Sequence, residues 1–283
     1  MYEMCQRLRA MLKAPGFIEL PGCYDSLSAM LLEHVGFPVV FLSGYGVAAS
    51  LLGNPDVGLT TLTETALITK NVTNRLGVPL IVDADNGYGN EDNVIRTVYE
   101  LEAAGAAGIV IEDQILPKRC GHGADRKIVP LPHYMRKLES ALAARKSGLV
   151  IIARTDSSDV DDAIHRATTF HDAGADVVLV DGLKSLDDVK RVGAEVPGLK
   201  QVNLIFGGVT PILPAAEFHA LGFKIVQYST PALYVTVAAL LKQLPLLYEA
   251  HDLRALTDAS VGFAAFQKFI ERRYRDSIRC SDS

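Results

Sequence analysis

One unit recurs eight times along this chain: a stretch with helical spacing, a glycine, a short apolar run, then a polar residue. Gly16 precedes Phe-Ile-Glu-Leu, Gly36 precedes Phe-Pro-Val-Val-Phe-Leu-Ser, and Gly77 precedes Val-Pro-Leu-Ile-Val-Asp. Gly105 and Gly108 stand before Ile-Val-Ile-Glu, and Gly148, Gly174, Gly198 and Gly222 open the remaining four copies. A glycine accepts the left-handed turn that ends a helix and redirects the chain. Near-continuous Val/Ile/Leu runs are strands buried on both faces, as parallel sheets require. Between them, Thr61-Leu-Thr-Glu64 is a capping box whose helix continues with Ile68, Val72 and Leu76 on one face. Val94, Val98 and Leu101 repeat that spacing, as do Ile164, Ala167 and Phe170. Eight such strand–helix units predict an α/β fold, the (β/α)8 TIM barrel, with a doubly wound open sheet as the alternative.

The repeat stops after residue 231. Residues 1 to 14 read as a short amphipathic helix ending near Pro15-Gly16. Residues 232 to 250 and 258 to 275 read as helices, the first broken at Leu244-Pro245. The expected organisation is therefore a barrel over 1–231 and a C-terminal helical arm over 232–283, packed on a neighbouring subunit or on its own barrel. A chain of 283 residues is long enough for one large domain with such an appendage. Its net charge of -5 and lack of a basic block argue against a nucleic-acid partner and for a small molecule. No apolar run approaches the roughly 20 residues of a membrane span. The charged start, Glu3 to Arg9, has no signal-type core, so a cytoplasmic location is expected. Cys5, Cys23, Cys120 and Cys280 are scattered, which suits reduced thiols and neither a disulfide frame nor a zinc site.

Chemistry in such barrels gathers at the carboxyl ends of the strands. Those ends here carry Asp25, Ser43, Asp83 with Asp85, Glu112, Arg154 with Asp156, Asp181, Asn203 and Tyr228. Carboxylates at one rim repel unless a cation sits among them. An all-oxygen set without paired histidines favours Mg2+ or Mn2+ over zinc; a solvated acidic rim is the plainer reading. Asp56, in Gly-Asn-Pro-Asp, either reaches waters on such a metal or caps a turn. The loop from Asp113 to Leu131 bears Lys118, Arg119, His122, Arg126 and Lys127 among glycines, as expected of a lid over an anionic substrate. Within it, positive neighbours would favour the thiolate of Cys120 and help it exchange protons; alone, a cysteine is more often a small buried residue. Ser43-Gly44-Tyr45-Gly46 offers backbone amides to an oxyanion, or is a simple strand-to-helix turn.

Taken together, Ser43-Gly-Tyr-Gly46, Leu-Gly-Asn-Pro-Asp56, Asp83-Ala-Asp85-Asn-Gly-Tyr-Gly, Ile-Glu112-Asp-Gln, Pro-Lys118-Arg-Cys120-Gly-His122 and Ala-Arg154-Thr-Asp156 resemble the isocitrate lyase / phosphoenolpyruvate mutase superfamily over roughly residues 15 to 235. The Lys-Arg-Cys-Gly-His run resembles the lyase branch, which holds methylisocitrate lyase, 2,3-dimethylmalate lyase and oxaloacetate hydrolase. Carboxyvinyl-carboxyphosphonate phosphorylmutase keeps the cysteine too. The resemblance implies a barrel whose last helix is exchanged between subunits, in a homotetramer. It implies Mg2+ on Asp83 and Asp85, with Glu112 and Asp56 acting through water. Ser43, Gly44 and Tyr45 would hold a substrate carboxylate, Arg154 would face the developing charge, and Cys120, poised by Lys118 and His122, would protonate the leaving fragment.

Two positions depart from that pattern. Asp181 stands where the lyases usually have Glu, and Phe206, after Asn203, replaces an acid. Both, with Asn203, are expected at the far end of the substrate. The expected activity is carbon–carbon cleavage of a 2-hydroxy di- or tricarboxylate to a 2-oxo acid and a carboxylate. Oxaloacetate hydrolysis or decarboxylation, the phosphorylmutase reaction, and a non-catalytic 2-oxo acid binder are the alternatives.

Overall fold

The computed structural model describes residues 2–123 and 125–279. Eight strands close into a parallel barrel in chain order: β1 (Ile18–Cys23), β2 (Val40–Leu42), β3 (Leu80–Asp83), β4 (Gly108–Glu112), β5 (Val150–Thr155), β6 (Val177–Val180), β7 (Lys200–Leu204) and β8 (Ile225–Tyr228). Pairing of Ile18 with Ile225 through Pro21 with Tyr228 seals the cylinder. The barrel predicted from the eightfold repeat is the fold, and the open sheet is set aside.

The helices are α1 (Tyr2–Lys13), α2 (Ser26–Val35), α3 (Gly44–Val47), α4 (Leu62–Thr73), α5 (Glu91–Ala103), α6 (Leu131–Ala144), α7 (Val160–Asp172), α8 (Leu186–Glu195), α9 (Ala215–Ala220), α10 (Pro231–Ala250) and α11 (Phe263–Arg279). The capping box at Thr61 forms as expected, with Glu64 bonding back to the Thr61 amide. Gly36, at φ 115°, takes the left-handed conformation that ends α2. Between barrel and helices, Tyr134 of α6 and Phe170 of α7 pack with ring centroids 4.5 Å apart. Each fully buried side chain of this kind contributes about 1.5–3 kcal/mol.

The barrel interior is layered by the two-residue period of the strands. Ile81, Val110, Ile152, Leu179 and Ile225 form an apolar interior layer with Leu20 and Phe41, joined by Leu8 and Leu12 of α1. Two residues further along each strand, the same parity delivers Ser43, Asp83, Glu112, Arg154, Asp181 and Gln227, all buried. The polar rim is thus the next course of side chains above an oil-like floor. It is inside the cylinder, not a solvated edge.

Three readings of the sequence are corrected. Asp25 belongs to the helix shell: its carboxylate caps α2 by accepting the Ser28 N–H at 2.7 Å. Tyr228 turns away from the rim and donates to Glu19 at 2.9 Å. Pro245 does not break its helix, because α10 runs unbroken from Pro231 to Ala250. The missing N–H leaves the carbonyl four residues earlier without its helical partner, and that carbonyl belongs to Leu241, on an exposed turn open to solvent.

α10 also reaches the 20 residues that the sequence reading did not find in any apolar run, and by length and composition it is the one described helix that could cross a membrane. None of its residues is buried in the single chain. Its first turns are tied to the barrel by Tyr24 and Thr236, hydroxyls 3.1 Å apart, and by Tyr45 against Tyr234. The second helix of the arm starts later than expected, at Phe263, after a 3-10 turn over Leu253–Ala259. Phe269 of α11 rests edge-on against His34 of α2, centroids 5.4 Å apart. Cys280 lies outside the described residues.

Candidate active site

Strands β3 and β4 run side by side with Asp83 registered opposite Val110, so Glu112 rises two residues further along, next to Asp85. The chain then turns sharply at Asp85, whose φ of 47° is uncommon for a residue with a side chain. Its amide donates to Asp83 Oδ1 at 3.1 Å, and its carbonyl accepts from the Glu112 amide at 2.8 Å. The turn therefore points a second carboxylate back over the barrel mouth. Asp56, from the connection before α4, completes the group.

The ammonium of Lys118 lies among them. It is in direct ionic contact with Asp85 and 3.0 Å from Asp56 Oδ1, with Asp83 and Glu112 close enough to act on its charge. Burial opposes charge on Lys118, yet Asp85 and its neighbours raise its pKa well above the ordinary lysine range. Burial pushes Asp85 up to about 6, with Lys118 pulling the other way. Glu112 is driven well above the carboxylate range by burial, only partly countered by Arg154 and Lys118. Both of its oxygens lack a hydrogen-bond donor.

Among the described residues, no three acidic, histidine or cysteine side chains stand ready-spaced around a metal. The set is nonetheless oxygen-only, buried, and gathered on one positive charge, with two orphaned oxygens. That environment suits a hard divalent cation once Lys118 gives way.

A second cluster surrounds Arg154. Its Nε and Nη2 bond Asp156 at 3.0 and 2.8 Å, and Nη2 is also 2.7 Å from Asp181 Oδ2 and 3.4 Å from Glu112 Oε2. Two-point pairing of this kind fixes the plane of the guanidinium. Burial works against the Asp181 anion, but Arg154 and His122 hold its carboxyl well below the usual range. Asn203 donates to Asp181 Oδ1 at 3.0 Å, while its own carbonyl accepts from Ser229 at 2.6 Å and Gln227 at 3.2 Å. Arg154 Nη1 has no partner among the described hydrogen bonds, which leaves one edge of the guanidinium for a ligand.

Ser43 caps α3 by accepting the Gly46 N–H at 3.3 Å. That places the amides of Gly44 and Tyr45 at the start of a helix, and a side chain on Gly44 would press on Asp83. The phenol of Tyr45 is pushed up to about 12, chiefly by its hydrogen bond with Tyr234 and then by burial.

The loop over this mouth is rooted in a short antiparallel ladder. Gln114 pairs with Ile128, the Ile115 amide donates to Lys127 at 2.9 Å, and the Val129 amide donates to Asp113 at 2.8 Å. Gln114 then staples the descending strand through both atoms of its amide, to Arg119 O at 2.8 Å and from Arg119 N at 2.9 Å. Cys120, Gly121 and His122 follow, with Gly121 against Arg154 and Asp181.

The structure brings Asp56, Asp83, Asp85, Glu112 and Lys118 together, and beside them Arg154, Asp181, Asn203, His122 and Cys120. It does not bring Phe206 in: that ring is 84% exposed on the rim. The expectation that neighbouring charge would favour the Cys120 thiolate is overturned. Burial raises the thiol above its ordinary value and Asp181 and Asp56 add to that, against a hydrogen bond from the His122 amide. Lys118 is two residues away in sequence but is spent on Asp85 and Asp56. Sequence reasoning did not single out Gln227, Ser229 and Gly182. For the first two, their position two and four residues after Ile225 on the interior face was the available signal.

A closed parallel barrel with ionisable side chains stacked inside its carboxyl end, under a seated lid, is the architecture of a (β/α)8-barrel enzyme. Residues 8–247 match the family described as phosphoenolpyruvate phosphomutase, and the chain belongs to that family. It is 37% identical over 264 residues to the 2,3-dimethylmalate lyase of Eubacterium barkeri, covering 92% of this chain and 91% of the relative. Among solved structures, that of oxaloacetate acetylhydrolase in complex with the inhibitor 3,3-difluorooxalacetate superposes with a TM-score of 0.91 at 30% identity, covering 99% of this chain and 97% of the other. A phosphonopyruvate hydrolase complex with oxalate and Mg2+ superposes with a TM-score of 0.86 at 26% identity, covering 98% of each chain.

Proposed function

We propose that this protein is a Mg2+-dependent carbon–carbon lyase that cleaves a 2-hydroxy dicarboxylate or tricarboxylate of the dimethylmalate type into a 2-oxo acid and a simpler carboxylate. The observation that carries this reading is the buried carboxylate cluster of Asp56, Asp83, Asp85 and Glu112 gathered on Lys118 at the barrel mouth, with Cys120 two residues further along the same loop. The likeness to 2,3-dimethylmalate lyase supports the substrate class, and the phosphonopyruvate hydrolase complex supports the metal.

Asp83 and Asp85 would hold Mg2+, with Glu112 and Asp56 behind them. When bound, the metal supplies Lewis-acid polarisation of the substrate carboxylate and its neighbouring oxygen. The amides of Gly44 and Tyr45, with Ser43, orient that carboxylate. The free edge of Arg154 faces the leaving fragment, whose carboxylate takes up charge as the carbon–carbon bond opens. As the bond opens, the 2-hydroxyl becomes the carbonyl of the 2-oxo acid and gives its proton to a carboxylate of the cluster, and Cys120 delivers a proton to the new carbanion. A raised thiol pKa keeps that proton available at neutral pH. The lid keeps water away from the carbanion until the proton arrives.

The exposed apolar side chains of the arm, including Leu240, Leu241 and Leu244, support a homo-oligomer, a tetramer in this reading, in which 232–283 packs on a neighbouring subunit. A cytoplasmic location fits metabolic chemistry of this kind.

The test is an assay panel of 2,3-dimethylmalate, methylisocitrate and oxaloacetate with Mg2+, following 2-oxo acid and oxalate. Release of a 2-oxo acid from a hydroxy acid is expected. The likeness to the oxaloacetate acetylhydrolase structure makes oxaloacetate the second candidate, and oxalate with acetate from oxaloacetate, without a 2-oxo acid from either hydroxy acid, would establish that reaction instead.

A further inference from the structure

The tip of the lid is seated by approaches that admit no side chain. A Cβ on Gly121 would overlap Asp181 Oδ2 and Arg154 Nη2, and one on Gly182 would lie 2.6 Å from the Gly121 carbonyl. A Cβ on Gly208, in the loop after β7, would overlap His122 Nδ1. Three glycines from three loops thus make room for the lid tip: Gly208 for the imidazole, Gly182 for the Gly121 carbonyl, and Gly121 itself against Asp181 and Arg154.

The hydrogen bonds at that imidazole define where its proton sits. The Val209 amide donates to Nδ1 at 3.2 Å, so Nδ1 carries no hydrogen and the ring proton is on Nε2. Nε2 in turn lies 3.3 Å from Asp181 Oδ1. Asn203 Nδ2 is 3.4 Å from the same ring nitrogen but is committed to Asp181, because Ser229 and Gln227 already occupy its carbonyl. With both nitrogens engaged by fixed partners, the ring has neither a free lone pair nor a free N–H to offer Cys120. The contact between the two residues is through backbone: the His122 amide bonds the thiol.

We propose that His122 is a positioning residue and not a proton carrier: its ring bolts the lid to Asp181 and to the Val209 amide, with Gly208 leaving room for the ring and Gly182 for the backbone of Gly121 beside it. Seating holds Gly121 against Arg154 and Asp181, with Cys120 as its neighbour in the chain. The activity arm of the test rests on the lyase reading above; the labelling arm does not.

The lid is read by iodoacetamide labelling of Cys120, followed by peptide mass analysis, with and without Mg2+ and oxalate. Gly208 has no left-handed backbone to strain, so Gly208→Ala tests room alone. In Mg2+ and oxalate, Gly208→Ala and His122→Ala are expected to label at least tenfold faster than the wild type while still binding oxalate by calorimetry. His122→Gln keeps an N–H for Asp181 but cannot relay a proton. It is expected to recover most of the protection, and to turn over 2,3-dimethylmalate far faster than His122→Ala with the wild-type pH profile. Full protection in Gly208→Ala, or equally fast labelling of the wild type, would overturn the seat. A His122→Gln enzyme that is protected yet as inactive as His122→Ala would make the imidazole a proton carrier and overturn the assignment. If the wild type turns over nothing on the panel, the reaction assigned above fails while labelling still decides the seat.

Discussion

Arg154 and Asp156, two residues apart where β5 leaves the barrel, bind each other at two points, Nε to Oδ2 at 3.0 Å and Nη2 to Oδ1 at 2.8 Å. The period of the strand puts both inside, so the pair is assembled by β5 alone. Removing one partner of a buried pair leaves an uncompensated charge, at a cost of about 3–5 kcal/mol. Asp181 remains beside Arg154, so Asp156→Ala is expected near the lower end. Urea unfolding would register it as a lower midpoint, and the surviving activity as a raised KM from a guanidinium no longer held in plane.

Cys120 is expected to behave as an acid in reserve. Cys120→Ala should lower kcat by roughly 10²–10⁴-fold, the usual worth of a positioned proton donor, while Mg2+ and oxalate still bind. Because burial raises the thiol pKa above 9.0, the protonated form persists as pH rises. The rate of alkylation without oxalate should therefore still be climbing at pH 9, with its midpoint above that of a free cysteine. A midpoint near neutrality would contradict the donor role.

Metal removal gives a third expectation. EDTA should abolish turnover, with Mg2+ or Mn2+ restoring it and Ca2+ doing so poorly, since a smaller ion suits a few carboxylates and retained waters. Asp85→Ala should weaken Mg2+ binding at least tenfold by calorimetry, since losing even an outer-shell partner of a metal ligand costs roughly 10–100-fold. An unchanged affinity would move the site elsewhere.

The shell can be damaged without touching the rim. Phe170 is fully buried against Tyr134. Phe170→Ala should cost about 3–5 kcal/mol of stability. With the protein kept below its new melting temperature, kcat/KM should stay within about twofold of the wild type, a difference of about 0.4 kcal/mol.

The barrel was legible because glycine, apolar run and polar end are local signals repeated eight times. The carboxylates at Asp83, Asp85 and Glu112 were legible for the same reason, since each directly follows a run. What sequence spacing did not convey was direction. Lys118 and Cys120 look like neighbours on paper, but the stapled backbone at Arg119 sends the ammonium down to Asp85 and leaves the thiol with carboxylates. Phe206 looked like a residue of the site because it stands where the resembled lyases carry an acid, yet the chain has left β7 by then and the ring faces solvent. Asp25 looked like a strand-end residue of the rim by position and is a helix cap by geometry. Pro245 looked like a stop, and an exposed helix simply tolerates it.

The paired stem between Gln114 and Ile128 has a thermodynamic consequence. Fixing backbone costs roughly 1–2 kcal/mol per residue, and a stem that is already hydrogen-bonded spares most of the loop that expense on each catalytic cycle. On the lyase reading proposed above, the stretch from Arg119 to Gly123 is what would remain to be ordered and released. The entropy surrendered at every closure is therefore concentrated in the short stretch that carries the thiol, and substitutions there should alter the tempo of the cycle far more than substitutions in the stem of equal size.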